Sequence, residues 1–149
     1  MTTQRYLRRL TWLVNMITSR EEKVQTSIGR ATNMVAPTDN EPVQTSAKDT
    51  MCEIMSDVVD TDKELDAYKA EYKFIMGQVN ELTEAYAPAY LYRLYVKDQS
   101  VMEIASEMKI SRSTAYRVQR RAHEEFEDMW GDFYKQANKF PVMEHFDTL

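Results

Sequence analysis

From Met51 to Tyr86 one stripe runs in alternating steps of three and four: Met51, Ile54, Val58, Thr61, Leu65, Tyr68, Tyr72, Ile75, Val79, Leu82 and Tyr86. No strand has that period, whereas on a helix every one of these side chains falls on a single face. The stripe therefore predicts a coiled-coil seam about five heptads long, on a helix from Ala47 to about Tyr86. A seam of that length has to be covered. Its cover is the N-terminal helix folding back as an antiparallel hairpin, the same helix of a second copy, or both in a four-helix interface. A homodimer is the favoured expectation, with Met51, Ile54, Val58, Leu65, Tyr68, Tyr72, Ile75 and Val79 as its dimerisation residues. Tyr68, Tyr72 and Tyr86 sit in register with the seam, so they read as core rather than as base-stacking rings.

The segments on either side agree with a helical chain. Tyr6, Leu10, Leu13, Ile17 and Val24 form a second heptad-type stripe from about Thr3 to Arg30. Arg8 and Arg9 on that helix read as solvated, with a phosphate contact as the alternative. The run APTDNEPVQTS from Ala36 to Ser46 has two prolines and no apolar period, which predicts a loop, and Thr45 or Ser46 offers a cap to the next helix. Only three glycines and four prolines occur among 149 residues, and Ala, Glu, Lys, Met, Leu and Arg are plentiful. The expectation is an all-α fold. Pro88 suits the first turn of a fresh helix. The chain then divides into a dimerisation region over 1–87 with its loop at 36–46, a second domain over 88–133, and a tail over 134–149.

The second domain holds the candidate for function. Leu91, Leu94 and Tyr95 predict a supporting helix, and Lys97, Asp98 and Gln99 a turn. Val101, Ile104, Ala105 and Met108 then give two helical turns with one apolar face. A break is expected at Lys109 and Ile110, after which Ser111 offers an N-cap hydroxyl. The next helix turns Ala115, Val118, Ala122 and Phe126 inward, leaving Arg112, Ser113, Thr114, Tyr116, Arg117, Gln119, Arg120 and Arg121 outward. Arginine forks onto guanine edges or phosphates, glutamine matches adenine, and hydroxyls at a helix start reach phosphate oxygens. Arg112, Ser113, Thr114, Tyr116 and Arg117 are expected nearest the bases, because the start of a reading helix is what reaches them. Lys109, Arg120 and Arg121 are expected to clamp phosphates. Met129, Trp130 and Phe133 continue the apolar stripe past Phe126; Gly131 weakens that extension without forbidding it.

This segment resembles the helix-turn-helix of the fourth region of bacterial sigma factors. That pattern runs apolar-x-Glu-Ile-Ala-x-x-Leu-Gly-Ile-Ser-x-x-Thr-Val, and Glu103, Ile104, Ala105, Ile110, Ser111 and Thr114 match it. Met108 replaces the leucine, Ala115 the valine and Lys109 the turn glycine. Over most of the chain, YLRRL, PVQTSAKDTM and RLYVKDQSVMEIASEMKISRSTAYRVQRRA occur in an order similar to the ArpU/RinA-like phage transcriptional regulators. That resemblance implies a phage or prophage protein controlling late genes for packaging, structure and lysis. The partners implied are double-stranded promoter DNA, RNA polymerase and a second copy. The alternative is a small terminase subunit, which also joins a helix-turn-helix to helical oligomerisation elements.

A net charge of −5 argues against nucleic acid until its distribution is read. Residues 1–30 carry a net +4, 39–87 a net −8, 97–121 a net +3 and 122–149 a net −5. The positive segment falls on the proposed reader. Arg5, Arg8 and Arg9 before LTWLVNMI imitate a signal peptide, but Thr11 and Asn15 break the apolar run and Arg20 to Lys23 close it. A cytoplasmic protein without a membrane span is expected. The lone Cys52 has no intrachain disulfide partner and reads as a packed side chain. Asp60, Asp62, Glu64, Asp66 and Glu71 fit a calcium-loop spacing, but Leu65 stands where the turn needs glycine. His123 and His145 lack metal-ligand spacing, and neither a serine elbow nor a phosphate-binding loop occurs. No metal, cofactor or enzymatic activity is expected.

Overall fold

The computed structural model describes residues 1–35 and 45–135, with side chains over 1–30 and 52–135. Among the described residues every regular element is helical. Helix α1 spans Thr3–Val35, α2 Thr45–Asn80 and α3 Ala87–Leu91; α3 continues into a π-helical turn, Tyr92–Val96. Helix α4 spans Val101–Met108 and α5 Arg112–Tyr134. The all-α expectation holds. The loop expected at 36–46 lies outside the described residues up to Thr45, where α2 begins, and so do the Met51 side chain and the tail beyond 135. None of the described helices is long and apolar enough to cross a membrane.

The chain groups into two compact units: Asn15–Lys69, and Met1–Val14 together with the described chain from Ala70 onward. In the first, Ile54, Thr61 and Leu65 of the α2 seam are buried. Arg20 Nε meets Glu64 Oε2 at 3.2 Å and Lys69 Nζ meets Glu21 Oε1 at 3.2 Å, so this part of the seam is covered by α1 of the same chain. Asp60, Asp62, Glu64, Asp66 and Glu71 lie on continuous helix. Met55 and Val59, on α2 but off the seam, are about half exposed at 52% and 51%.

The second unit has an aromatic centre. Tyr6 stacks on Tyr134 with ring centroids 4.6 Å apart, and Phe126 and Phe133 close in at 6.0 and 6.5 Å. The two tyrosines bury their hydroxyls against hydrogen-bond partners. Tyr6 Oη donates to Gln78 Oε1 at 2.7 Å, and the hydroxyls of Thr3 and Tyr134 lie 2.6 Å apart. Ile75, Val79 and Leu82 complete the far end of the seam, again within one chain. Val58, Tyr68 and Tyr72 are half-buried.

The seam stops sooner than its period suggests. Helix α2 ends at Asn80, and Tyr86 is 57% exposed with a left-handed backbone, φ 70°. Glu125 of α5 explains the early ending. Its Oε1 accepts from Thr83 N–H at 2.6 Å and Thr83 Oγ1 at 2.8 Å, and its Oε2 accepts from Glu84 N–H at 3.1 Å. The turn's backbone donors thus bond a side chain that lies far off in sequence, and no local period could reveal it.

Candidate nucleic-acid interface

Helix α4 opens on Ser100, whose Oγ accepts from Glu103 N–H at 3.3 Å. It closes on Lys109, which adopts φ 56° and lets Ile110 N–H reach Ala105 O at 3.0 Å and Lys109 N–H reach Ser106 O at 3.3 Å. Those two bonds satisfy carbonyls the helix end leaves open. Glycine would adopt this conformation without strain, and lysine costs about 1 kcal/mol more. The turn departs from the sigma-like pattern in residue type while keeping a left-handed backbone at that position.

Two residues later Ser111 caps α5: its Oγ accepts from Thr114 N–H at 3.2 Å and donates to Thr114 Oγ1 at 2.8 Å. Ala115, Ala122 and Phe126 are wholly buried and Val118 half-buried, so the inward face is the one the sequence defines. The alanines let α3 and α4 approach α5 closely. Tyr90 of α3 is buried and donates its hydroxyl to Gln119 Oε1 at 3.0 Å. Tyr95, in the π-helical turn, places its hydroxyl 2.7 Å from His123 Nε2, while its carbonyl accepts from Thr11 Oγ1 at 2.6 Å. Burial raises the Tyr95 hydroxyl well above the usual tyrosine range and lowers His123. Arg93 pairs with Glu107, which also accepts from Gln99 Nε2 at 2.9 Å, tying α4 to the turn before it.

On the outer face, Arg112, Ser113, Tyr116, Arg117, Arg120 and Arg121 are all exposed, and Thr114 is half-buried. At 3.6 residues per turn, Ser113, Arg117 and Arg120 lie opposite the buried alanines, with Thr114 and Arg121 on one flank and Arg112 and Tyr116 on the other. The Arg112 guanidinium sits over the Tyr116 ring at 5.7 Å. No ion pair between these four arginines and a carboxylate occurs among the described residues. Chemically, the face offers several forked donors on one exposed side of a helix, suited to phosphates or base edges.

Some candidates sit differently from expectation. Gln119 is half-buried with its carbonyl oxygen committed to Tyr90, so it does not stand free on the outer face. The Ser111 hydroxyl is engaged in capping. Arg9 is neither solvated nor outward: it forms a shielded pair with Glu71, and its guanidinium lies 3.8 Å from the Trp12 ring centroid. Sequence reasoning missed Tyr86, which joins Glu84, Thr114, Arg117 and Arg121 around a cleft of about 220 Å³. Its heptad spacing argued for burial.

Together these features define a helical protein that presents one arginine-rich helix face on a buried small-residue base. The chain belongs to the family described as "Protein of unknown function (DUF1492)", whose model matches residues 38–127. The matched span runs into α5 and includes Arg112, Arg117, Arg120 and Arg121 of its outer face. No curated protein and no solved structure matches the chain.

Proposed function

We propose that this protein is a sequence-specific DNA-binding transcriptional regulator, with α4 and α5 acting as a helix-turn-helix and α5 as the reading helix. The observation that carries the reading is the outer face of α5. Arg112, Arg117, Arg120 and Arg121 project from one rigid helix, with no carboxylate pairing them among the described residues, in a chain whose net charge is −5. Arg117 and Ser113, near the start of the helix and opposite its buried side, are placed for base edges. Lys109, Arg120 and Arg121 supply phosphate contacts.

The resemblance to ArpU/RinA-like regulators supports a phage or prophage role in late-gene control, with RNA polymerase as a further partner and the cytoplasm as its place of action. A homodimer fits paired half-sites on DNA. Since Ile54, Leu65, Ile75 and Val79 are already buried in one chain, the copies meet through the α2 surface off the seam, where Met55 and Val59 are exposed.

Selection of duplexes from a random pool, with footprinting of the recovered motif on a late-gene promoter, tests the reading. A recovered motif protected in the footprint supports it; retention without sequence preference overturns it. Solution mass tests the assembly: a dimer agrees, and a ring of eight or more copies favours a packaging role.

A further inference from the structure

The turn from Thr83 to Tyr86 is joined to the arginine face. Glu125 fixes its backbone by accepting from Thr83 and Glu84, and the Thr83 N–H, ahead of a desolvation that works the other way, lowers the proton affinity of that carboxylate. Tyr86 N-caps α3 through its carbonyl, which accepts from Tyr90 N–H at 2.8 Å, and leaves its ring 57% exposed. Between this turn and α5 lies the cleft of about 220 Å³, with Tyr86 and Glu84 on one wall and Thr114, Arg117 and Arg121 on the other.

We infer that this cleft seats the sugar-phosphate backbone of one DNA strand, with Arg121 gripping a phosphate, the Tyr86 ring resting on the adjoining sugar, and Arg117 at the cleft's edge left to the bases. This rests on the reading of α5 as a DNA reader, and it adds which flank of the helix the strand runs along. Three features favour it. The exposed Arg121 guanidinium faces the Thr83–Tyr86 turn across the cleft, and a phosphate is the group such a forked donor binds best there. An exposed tyrosine on a fixed turn loses little freedom when it packs on a sugar. The surface beyond Arg121 turns acidic, with Glu124, Glu125 and Asp128, so a polyanion is confined to the Arg117 side. Among the described residues Glu84 is the one carboxylate lining the cleft, and it provides a test of opposite sign.

Fluorescence anisotropy on the full chain, with a duplex recovered by selection and a scrambled duplex of equal length, decides the matter. Arg121→Ala lowers affinity for both duplexes by about 5- to 10-fold and reduces the salt slope by about one. Tyr86→Ala lowers both by about 3- to 10-fold, and Glu84→Gln raises both by about 2- to 5-fold, without changing the preferred motif. Both side chains are exposed, and an unchanged melting temperature shows that the variants fold. If wild type binds and these two variants match it, the cleft is not on the strand's path and the inference fails. If wild type binds neither duplex, the reading of α5 itself has failed.

Discussion

Arg9 and Glu71 bridge α1 and α2 through two parallel bonds, Nε to Oε1 at 2.8 Å and Nη2 to Oε2 at 3.2 Å, with side chains only 10% and 6% exposed. The heptad stripes place these helices side by side but leave the partners of their charged residues open. A pair this shielded matters chiefly through the penalty incurred when one member is lost and the other stays buried without it.

Removing the carboxylate alone strands a guanidinium against a core. Glu71→Ala should destabilise the fold by about 3–5 kcal/mol, while Glu64→Ala, which breaks the more exposed pair with Arg20, should cost no more than about 1 kcal/mol. Replacing both members together, as Arg9→Met with Glu71→Leu, should recover most of the loss. Urea unfolding of the three variants measures this, and equal losses in the two single variants would contradict the burial argument.

His123 gives the fold a pH dependence. Burial lowers its proton affinity below the ordinary 6.5, so the unfolded chain binds a proton that the folded chain refuses. Stability is therefore whole above pH 6.5 and declines as the pH falls below that value, until the folded-state pKa is passed. Glu125 acts in a lower window: its affinity is lowered chiefly by the Thr83 N–H, so its contribution holds above 4.5 and fades as acid is added. Thermal melts from pH 8 to 5 should show a slope that His123→Gln flattens. A slope unchanged in that variant would assign the effect elsewhere.

The sequence makes the helices legible because their information is local. The stripes of α1 and α2, the Ser111 cap and the Ala115, Ala122 and Phe126 face all arise from spacing over a few residues. The features that escaped depend on partners distant in sequence. Glu125 ends α2 at Asn80 across more than forty residues, so the seam's period runs on to Tyr86 while the helix does not. Arg9 looked like surface charge because Glu71 is unremarkable in its own neighbourhood. Gln119 looked outward because Tyr90's hydroxyl belongs to another helix. On the arginine face, residue type and helical position marked the four arginines, whereas the wall opposite them, Tyr86 and Glu84, needed the folded chain.

Lys109 separates stability from binding. Its left-handed backbone, φ 56°, favours glycine, so Lys109→Gly should stabilise the protein by about 1 kcal/mol. If its ammonium also clamps a phosphate, the same variant should bind every duplex more weakly and lose about one unit of salt slope. Melting temperature rising while general affinity falls is the expected pairing. A rise in stability with unaltered affinity removes Lys109 from the interface and leaves it as a turn residue alone.

Arg117 is the sharpest test of how α5 reads sequence. It stands opposite Ala115 and Ala122 near the helix start, where a guanidinium entering a major groove meets a guanine edge through two bonds. Arg117→Ala should weaken the selected duplex by about 1–3 kcal/mol and relax preference at one position of the motif. A guanidinium that touches only phosphate behaves otherwise, weakening all duplexes equally, as expected of Arg121. Repeating the selection with each variant distinguishes the two roles, because a motif retained in full by Arg117→Ala assigns that arginine to the backbone. Arg120, on the same outward line one turn further on, would then be the next candidate for the base contact.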